Sequence, residues 1–372
     1  MIDSAGLRMT RQDMLRNAIR QPLPLPYHPL YRFYNGGGLV RKFRGMPDAN
    51  DGWWSEDWVG SCTLAGNRGP DGSEQGLSTV DVTGLGPVTL KSLVEAFPEE
   101  MLGTSFAERF GPDIAFLVKI LSPAGPVPLH VHPDRAWAKK HLKSKFSKVE
   151  GWILLETPGD GTEPAYFATG FKDGITQARF REMVGTRNGR ALREMLHRTE
   201  VHPGEVYVAY PGVPHCVGPQ VLAIEVQEPT DHMVIAEWEG MDEVGATMGL
   251  GWDKALGLID YTPSDHDAAI ARARHKPSTI REHGENRETR LVNADVLDFF
   301  DATRLEVADE ITVEDGRFSI DIIIEGSGTI EGDFGNMPVR RGDAFACAAS
   351  LGHRFRAGRM PLKVVRCMGP LV

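Results

Sequence analysis

Short apolar runs recur along the chain in lengths that suit strands. IAFLVKIL, GWILLET, EVYVAY and VLAIEVQ come first, and FSIDIIIEGSGTIEG, DAFACAA and LKVVRCMG lie near the end. Each is rich in Val, Ile or Phe and bounded by Gly, Pro or Asp, a pattern that predicts the strands of an antiparallel sandwich or barrel. Helical periodicity is confined to islands. SLVEAFPEEMLGTSFAERF and ITQARFREMVGTRNGRALREMLHRTE carry apolar residues at helical spacing with charges between them. SDHDAAIARARHKPS is charged throughout and predicts a solvated helix or a linker ahead of the second group of strands. A soft boundary therefore falls within residues 264–278, dividing the chain into 1–263 and 264–372.

The two groups of strands share a pattern. HPGEVYVAYPGVPHCVG has a Pro-Gly-acid turn, an apolar strand, and a second turn that ends in His215. PVRRGDAFACAASLGHRFRAG has a Gly-Asp turn, a strand, and a small-residue stretch that ends in His353. The repetition predicts two copies of one small β-barrel, with coincidence among Gly-rich β sequences as the alternative.

Composition narrows the partners. With 372 residues, 41% hydrophobic and 25% charged, the chain has material for a large core, in two domains or one two-lobed unit. A formal net charge of -10 argues against nucleic acid or an anionic membrane surface, both of which call for a basic field. A small anionic substrate held by local cations remains compatible with it. Cys62, Cys216, Cys347 and Cys367 form no CxxC pair and read as buried thiols of a reducing compartment. No apolar run reaches the length of a membrane span, and the first residues lack a signal-peptide core, so the expected location is cytoplasmic. Oligomeric state is not legible.

The chemistry begins at PLHVHPDRAW. On a strand, residues i and i+2 face the same side, so His130 and His132 project into one space. Imidazoles buried together need partners for their ring nitrogens, and a transition metal satisfies both at once. Structural histidines near the surface are the alternative. Glu150, where a strand begins, and His215, at the end of a Pro-rich turn, would complete a His/His/Glu/His set that leaves coordination positions open for water or substrate. In the second group His353 has no such partner, and FSIDIIIEG adds only Asp321 and Glu325. A structural role is expected there, with no metal site.

PLHVHPDRAWAKKH, SKVEGWILLE, PGEVYVAYPGVPHCVG and AIEVQEPTD together resemble the metal-site segments of the class I mannose-6-phosphate isomerases, which are bicupin proteins. RFYNGGGLVRKFRGMP, WWSEDWVGSCTLAGN and EGSGTIEG with VRRGDAFACAA resemble that family's opening and closing segments more loosely. The resemblance implies a mainly β fold of two cupin (jelly-roll) barrels with helical insertions, here at 92–109 and 175–200, flanking the pocket. It also implies an aldose–ketose isomerase acting on a small sugar or sugar phosphate. Zinc, or another divalent metal, would be held by His130, His132, Glu150 and His215, with His130 standing where the family usually has Gln. Lys148 and Asp231 match catalytic-pocket positions of the family. Without the resemblance, Lys148 reads as a solvated strand-end lysine and Asp231 as a turn residue.

One departure bears on the substrate. Four residues after Asp231 the family has an arginine, and this chain has Ile235. An aliphatic side chain cannot pair with phosphate as a guanidinium does. Either another cation takes over, with Arg41, Arg135 and Lys172 as candidates, or the sugar is unphosphorylated. Three functions follow: an isomerase of mannose 6-phosphate and fructose 6-phosphate, an isomerase of an unphosphorylated sugar, or a non-catalytic sugar- or metal-binding bicupin.

Overall fold

The computed structural model describes residues 9–159 and 163–372. The architecture is mainly β, in two antiparallel pairs of sheets that each enclose a core. The first barrel has a seven-stranded sheet in the order Arg274–His275, Val206–Ala209, Glu150–Glu156, Leu222–Gln227, Leu117–Leu121, Glu56–Val59, Pro29–Leu30. Its smaller sheet runs Leu196–Glu200, Tyr166–Phe171, His215–Val217, His130–Val131, Val234–Ile235. Tyr34, Trp152, Phe167, Tyr207 and Val217 pack between them. In the second barrel the large sheet runs Leu23–Pro24, Ala344–Cys347, Ser319–Glu325, Leu362–Met368, Asp301–Val307, Asn286–Arg290, Ser278–His283. Its small sheet has four strands, Glu310–Val313, His353–Ala357, Ser327–Gly332 and Gly335–Arg340.

The large sheets pack on each other through their outer faces. Val118, Ile120, Val208 and Ile224 of the first meet Phe300, Ile320, Ile322 and Val365 of the second in one apolar cluster. This explains why LVKIL and LAIEVQ read as nearly unbroken apolar runs. One face lines a barrel and the other lies against the neighbouring sheet, so both are buried. A charge inside such a run, such as Lys119 or Glu225, is therefore an interior charge.

Every apolar run named above forms strand. The helical islands are partly corrected. The first folds as three short helices, Leu90–Ala96, Pro98–Leu102 and Thr104–Phe110, broken by Pro98 and Gly103. The second gives Gln177–Thr186 and Gly189–Arg193, but its last residues, Leu196–Glu200, are an edge strand paired with Tyr166–Phe171. Tertiary pairing overrides their helical spacing.

Both islands pack on outer surfaces. Leu90, Leu93, Phe97 and Met101 join the inter-barrel cluster, and Phe180, Val184 and Leu192 cover the small sheet of the first barrel. Neither island lines the pocket at the first barrel's centre.

The chain crosses between barrels at both ends of the first. Leu23–Pro24 pairs with Phe345 and Ala346 of the second. The helix His266–Ala273 and the strand Arg274–His275 belong to the first, where Arg274 and His275 pair with Tyr207 and Val206. These pairings run up to His275, inside the soft boundary of 264–278. Among the described residues no helix is long and apolar enough to cross a membrane.

Candidate metal centre and active site

His130, His132, Glu150 and His215 converge in the interior of the first barrel, with ligand atoms all within 4.8 Å of one another. Three strands supply them. His130 pairs across the ladder with His215, and Glu150 opens its strand opposite Ala209. All four are buried, His132, Glu150 and His215 completely. Ring centroids stand 4.3 Å apart for His130 and His215, 4.9 Å for His130 and His132, and 4.8 Å for His132 and His215.

The protons on these rings are fixed by the backbone. Nδ1 of His130 lies 2.7 Å from the Pro128 carbonyl, that of His132 2.9 Å from the His232 carbonyl, and that of His215 2.9 Å from the Val213 carbonyl. A carbonyl can only accept, so each Nδ1 carries the hydrogen and a neutral ring points a bare Nε2 lone pair inward. Burial holds His130 down to about 4 and His132 well below the usual histidine range, which keeps both rings neutral. The Nε2 atoms then face a carboxylate. His215 Nε2 is 2.9 Å from Glu150 Oε1, and His132 Nε2 is 3.2 Å from Oε2. Burial opposes ionisation of Glu150, but its neighbours together, Lys148 foremost, hold the carboxyl well below its usual range. Lone pairs set against a carboxylate repel. A divalent cation among them turns the repulsion into four bonds, so the donor set fits a metal.

Around this set lies a second layer of buried charge. Lys148 Nζ is 3.0 Å from Glu150 Oε2, and Trp152 Nε1 donates to Oε1 at 3.2 Å. Lys119 Nζ sits 2.9 Å from Glu225 and 4.0 Å from Glu56. Burial pushes the Glu225 carboxyl up to about 7, with Lys119 opposing. Glu56 accepts from Tyr34 Oη at 2.8 Å and Trp58 Nε1 at 2.7 Å, and lies 3.2 Å from Arg32 Nε. Asp231 is not against the metal ligands. It holds Arg32 in a two-pronged pair at 2.9 and 3.0 Å and accepts from the Gly66 amide at 2.9 Å. Burial opposes its ionisation, and the Arg32 guanidinium holds it far below the usual carboxylate range.

The segment carrying Arg32 and Tyr34 is set in place by the glycines behind it. A Cβ on Gly36 would lie 2.2 Å from the Ser122 carbonyl oxygen. Gly37, at φ +92, would bring its own to 2.6 Å from that of Trp54.

Arg32, Tyr34, Glu56, Lys119 and Glu225 were not singled out from the sequence, although a lone charge inside LVKIL and another inside LAIEVQ are signals that interior strands provide. Of the proposed anion-binding cations, none lines this pocket. Arg41 lies 3.5 Å from Asp48 near the surface, Arg135 pairs with Glu228 at 2.8 Å, and Lys172 donates to the Glu194 carbonyl at 2.9 Å. Ile235 is buried and pairs with His130 across the ladder. The cavity among these residues is about 20 Å³, room for one water.

The second barrel is less bare than the sequence suggests. Asp321 and His353 are joined by Cys347 in a buried group within 4.8 Å, whereas Glu325 lies at the surface with Lys363. Cys347 went unnoticed because it stands on a different strand from either partner.

No family model matches the chain. YvyI of Bacillus subtilis, whose name assigns it provisionally as a mannose-6-phosphate isomerase, is 24% identical over 271 residues, 72% of this chain and 78% of that protein. ManA, the mannose-6-phosphate isomerase of the same organism, is 24% identical over 156 residues, 42% of this chain and 47% of ManA. Among solved structures, the mannose 6-phosphate isomerase of Bacillus subtilis superposes with a TM-score of 0.70 at 21% identity, covering 93% of this chain and 99% of that one. A variant of the Salmonella typhimurium phosphomannose isomerase gives 0.68 at 15% identity, covering 94% and 100%. The chain is thus similar in sequence to proteins named mannose-6-phosphate isomerases and shares the fold of the solved ones.

Proposed function

We propose that this protein is a metal-dependent aldose–ketose isomerase, with mannose 6-phosphate and fructose 6-phosphate as the first pair to consider. The observation that carries the reading is the set of three imidazoles whose bare nitrogens meet one carboxylate deep in a barrel, with a lysine alongside. His130, His132, Glu150 and His215 would hold the cation, zinc being our choice for nitrogen-rich ligands of this kind. Such an ion polarises a sugar carbonyl and offsets the negative charge that develops on its oxygen.

The protein's own groups supply the remainder. Isomerisation takes the proton from C2 to a base and returns it to C1, while a hydroxyl proton moves from O2 to O1. Lys148, in its neutral amine form, is our candidate to carry the carbon-bound proton, since its Nζ stands beside Glu150 in a site shielded from bulk water. Asp231 acts one step removed, by holding Arg32 at the pocket wall. Four interior carboxylates, Glu56, Glu150, Glu225 and Asp231, face three cations, Arg32, Lys119 and Lys148. A divalent ion held among these groups would supply positive charge beside a developing oxyanion. Because the cavity admits one water, a sugar enters only if lining such as Phe33 or Met233 moves aside.

A second reading has an observation of its own. Ile235 is buried beside His130, and Arg32, an arginine lining the cavity, is already paired with Asp231 and Glu56. This favours an unphosphorylated sugar. Isomerisation of a panel of sugars and their 6-phosphates by the metal-loaded protein decides. Turnover of mannose 6-phosphate above free sugars supports the first reading, and the reverse supports the second. No turnover of either leaves a binding protein.

A further inference from the structure

We propose that the second barrel carries a metal site of its own, formed by Asp321, Cys347 and His353 and suited to a borderline-soft divalent ion such as zinc. The three residues come from three strands, Ser319–Glu325, Ala344–Cys347 and His353–Ala357, and their ligand atoms lie within 4.8 Å of one another. All are buried in the core between the two sheets, among Val313, Phe345 and Phe355.

The side chains are poised as ligands. Nδ1 of His353 lies 3.1 Å from the Leu351 carbonyl, so the ring hydrogen is on that side and Nε2 presents a lone pair inward. His215 is held in the same manner in the first barrel. Nε2 of His353 and both carboxylate oxygens of Asp321 are buried without a hydrogen-bonding partner among the described residues. A buried carboxylate whose oxygens lack hydrogen bonds is costly, and Arg366 offsets its charge only from 3.5 Å. His353 Nε2 stands 3.7 Å from Asp321 Oδ2, too far for a hydrogen bond and close enough for one ion to bridge.

Arg366 is a supporting group. Its Nε is 3.5 Å from Asp321 Oδ1, while its other nitrogens pair with Asp315 at 2.8 and 3.3 Å. It thus orients the carboxylate from outside, as outer partners of metal ligands do. Asp315 and Asp321 share Arg366, so a divalent ion would face a thiolate and a carboxylate only partly offset by that guanidinium. The mixed nitrogen, sulfur and oxygen set suits zinc or cobalt, whereas calcium and magnesium call for oxygen alone. Arg366 also lines a cavity of about 480 Å³, which none of the three ligands reaches.

The test uses the full-length protein, stripped by a chelator and reloaded with Co²⁺, with bound cobalt counted after desalting. The expected result is two equivalents per chain and a near-ultraviolet thiolate-to-cobalt charge-transfer band, because the first site offers no sulfur. Cys347→Ser should lose the band and one equivalent. Glu150→Gln should lose the other equivalent and keep the band, which tests the proposal even if Cys347→Ser fails to fold. Absence of the band in the parent, or its survival in Cys347→Ser, overturns the proposal.

Discussion

The two barrels are built on one register and equipped differently. In the first, Glu150 pairs with Ala209 on one side and Gln227 on the other; in the second, Ser319 pairs with Cys347 and Met368 in the same way. His215 follows Ala209 at the interval at which His353 follows Cys347, and each bonds the carbonyl two residues before it. His130 lies opposite His215 as Val313 lies opposite His353. The four ligands of the first barrel thus correspond to Val313, Asp315, Ser319 and His353. One histidine survives, and the new acid and thiol, Asp321 and Cys347, stand where the first barrel has Trp152 and Ala209. The same backbone supports either set, so chemistry here is decided by a handful of inward positions while the fold is held by the apolar faces.

The largest expected effect comes from making the first barrel resemble the second at its ligands. His130→Val or Glu150→Ser should abolish metal binding there and with it isomerase activity, since even outer partners of metal ligands are worth about 10–100-fold in affinity. Metal content of the purified variant checks this, and a variant that retains both metal and turnover breaks the comparison. Next in size is Lys148→Ala. It should keep the metal and lower kcat by roughly 10²–10⁴, the range for losing a positioned acid or base. An unchanged kcat would remove Lys148 from the reaction.

Legibility followed burial. The apolar runs gave away the strands because most of them bury two faces, and HVH, VEG and VPHC pointed to the buried His/His/Glu/His group because strand alternation and tight turns leave few places for those side chains to point. What stayed hidden depends on partners distant in sequence. Arg32 gains its place only through Asp231, and the LHRTE segment becomes a strand only because Tyr166–Phe171 offers an edge. Cys347 belongs to a ligand group only because its strand lies beside the one that carries Asp321. Asp231 was picked out as a pocket residue, and its carboxylate is spent on the Arg32 guanidinium.

That pair defines the third prediction, a matter of stability. Asp231→Ala leaves Arg32 charged and short of its main partner, and breaking a buried pair in this way costs about 3–5 kcal/mol. Urea denaturation should show the loss, and replacing both partners with apolar residues should recover much of it. The pH dependence has a fixed sign. The folded-state pKa of Asp231 is depressed, so its contribution is fully present above the unfolded carboxyl value near 3.8 and fades as pH falls below it. In Asp231→Asn the acid limb of the stability profile should be shallower. An identical limb in both proteins would mean that the pair contributes little.

The smallest effects are expected at the three cations that the missing arginine brings to mind. Arg41, Arg135 and Lys172 have partners away from the pocket, so alanine at any of them should leave KM for a sugar phosphate within about twofold, well under the roughly tenfold that 1.4 kcal/mol represents. Arg135 should differ in one respect. It lies over the Phe299 ring at 4.3 Å and donates to the Asp298 carbonyl at 3.0 Å, which ties the first barrel to the second. Its removal should lower stability by about 1 kcal/mol, the usual net worth of a hydrogen bond, with KM unmoved. Thermal unfolding and steady-state kinetics on the same preparations separate the two outcomes. A large rise in KM for the phosphate alone, in any of the three, would show that the pocket reopens towards the surface in solution and that an outer cation takes the place of the arginine absent at Ile235.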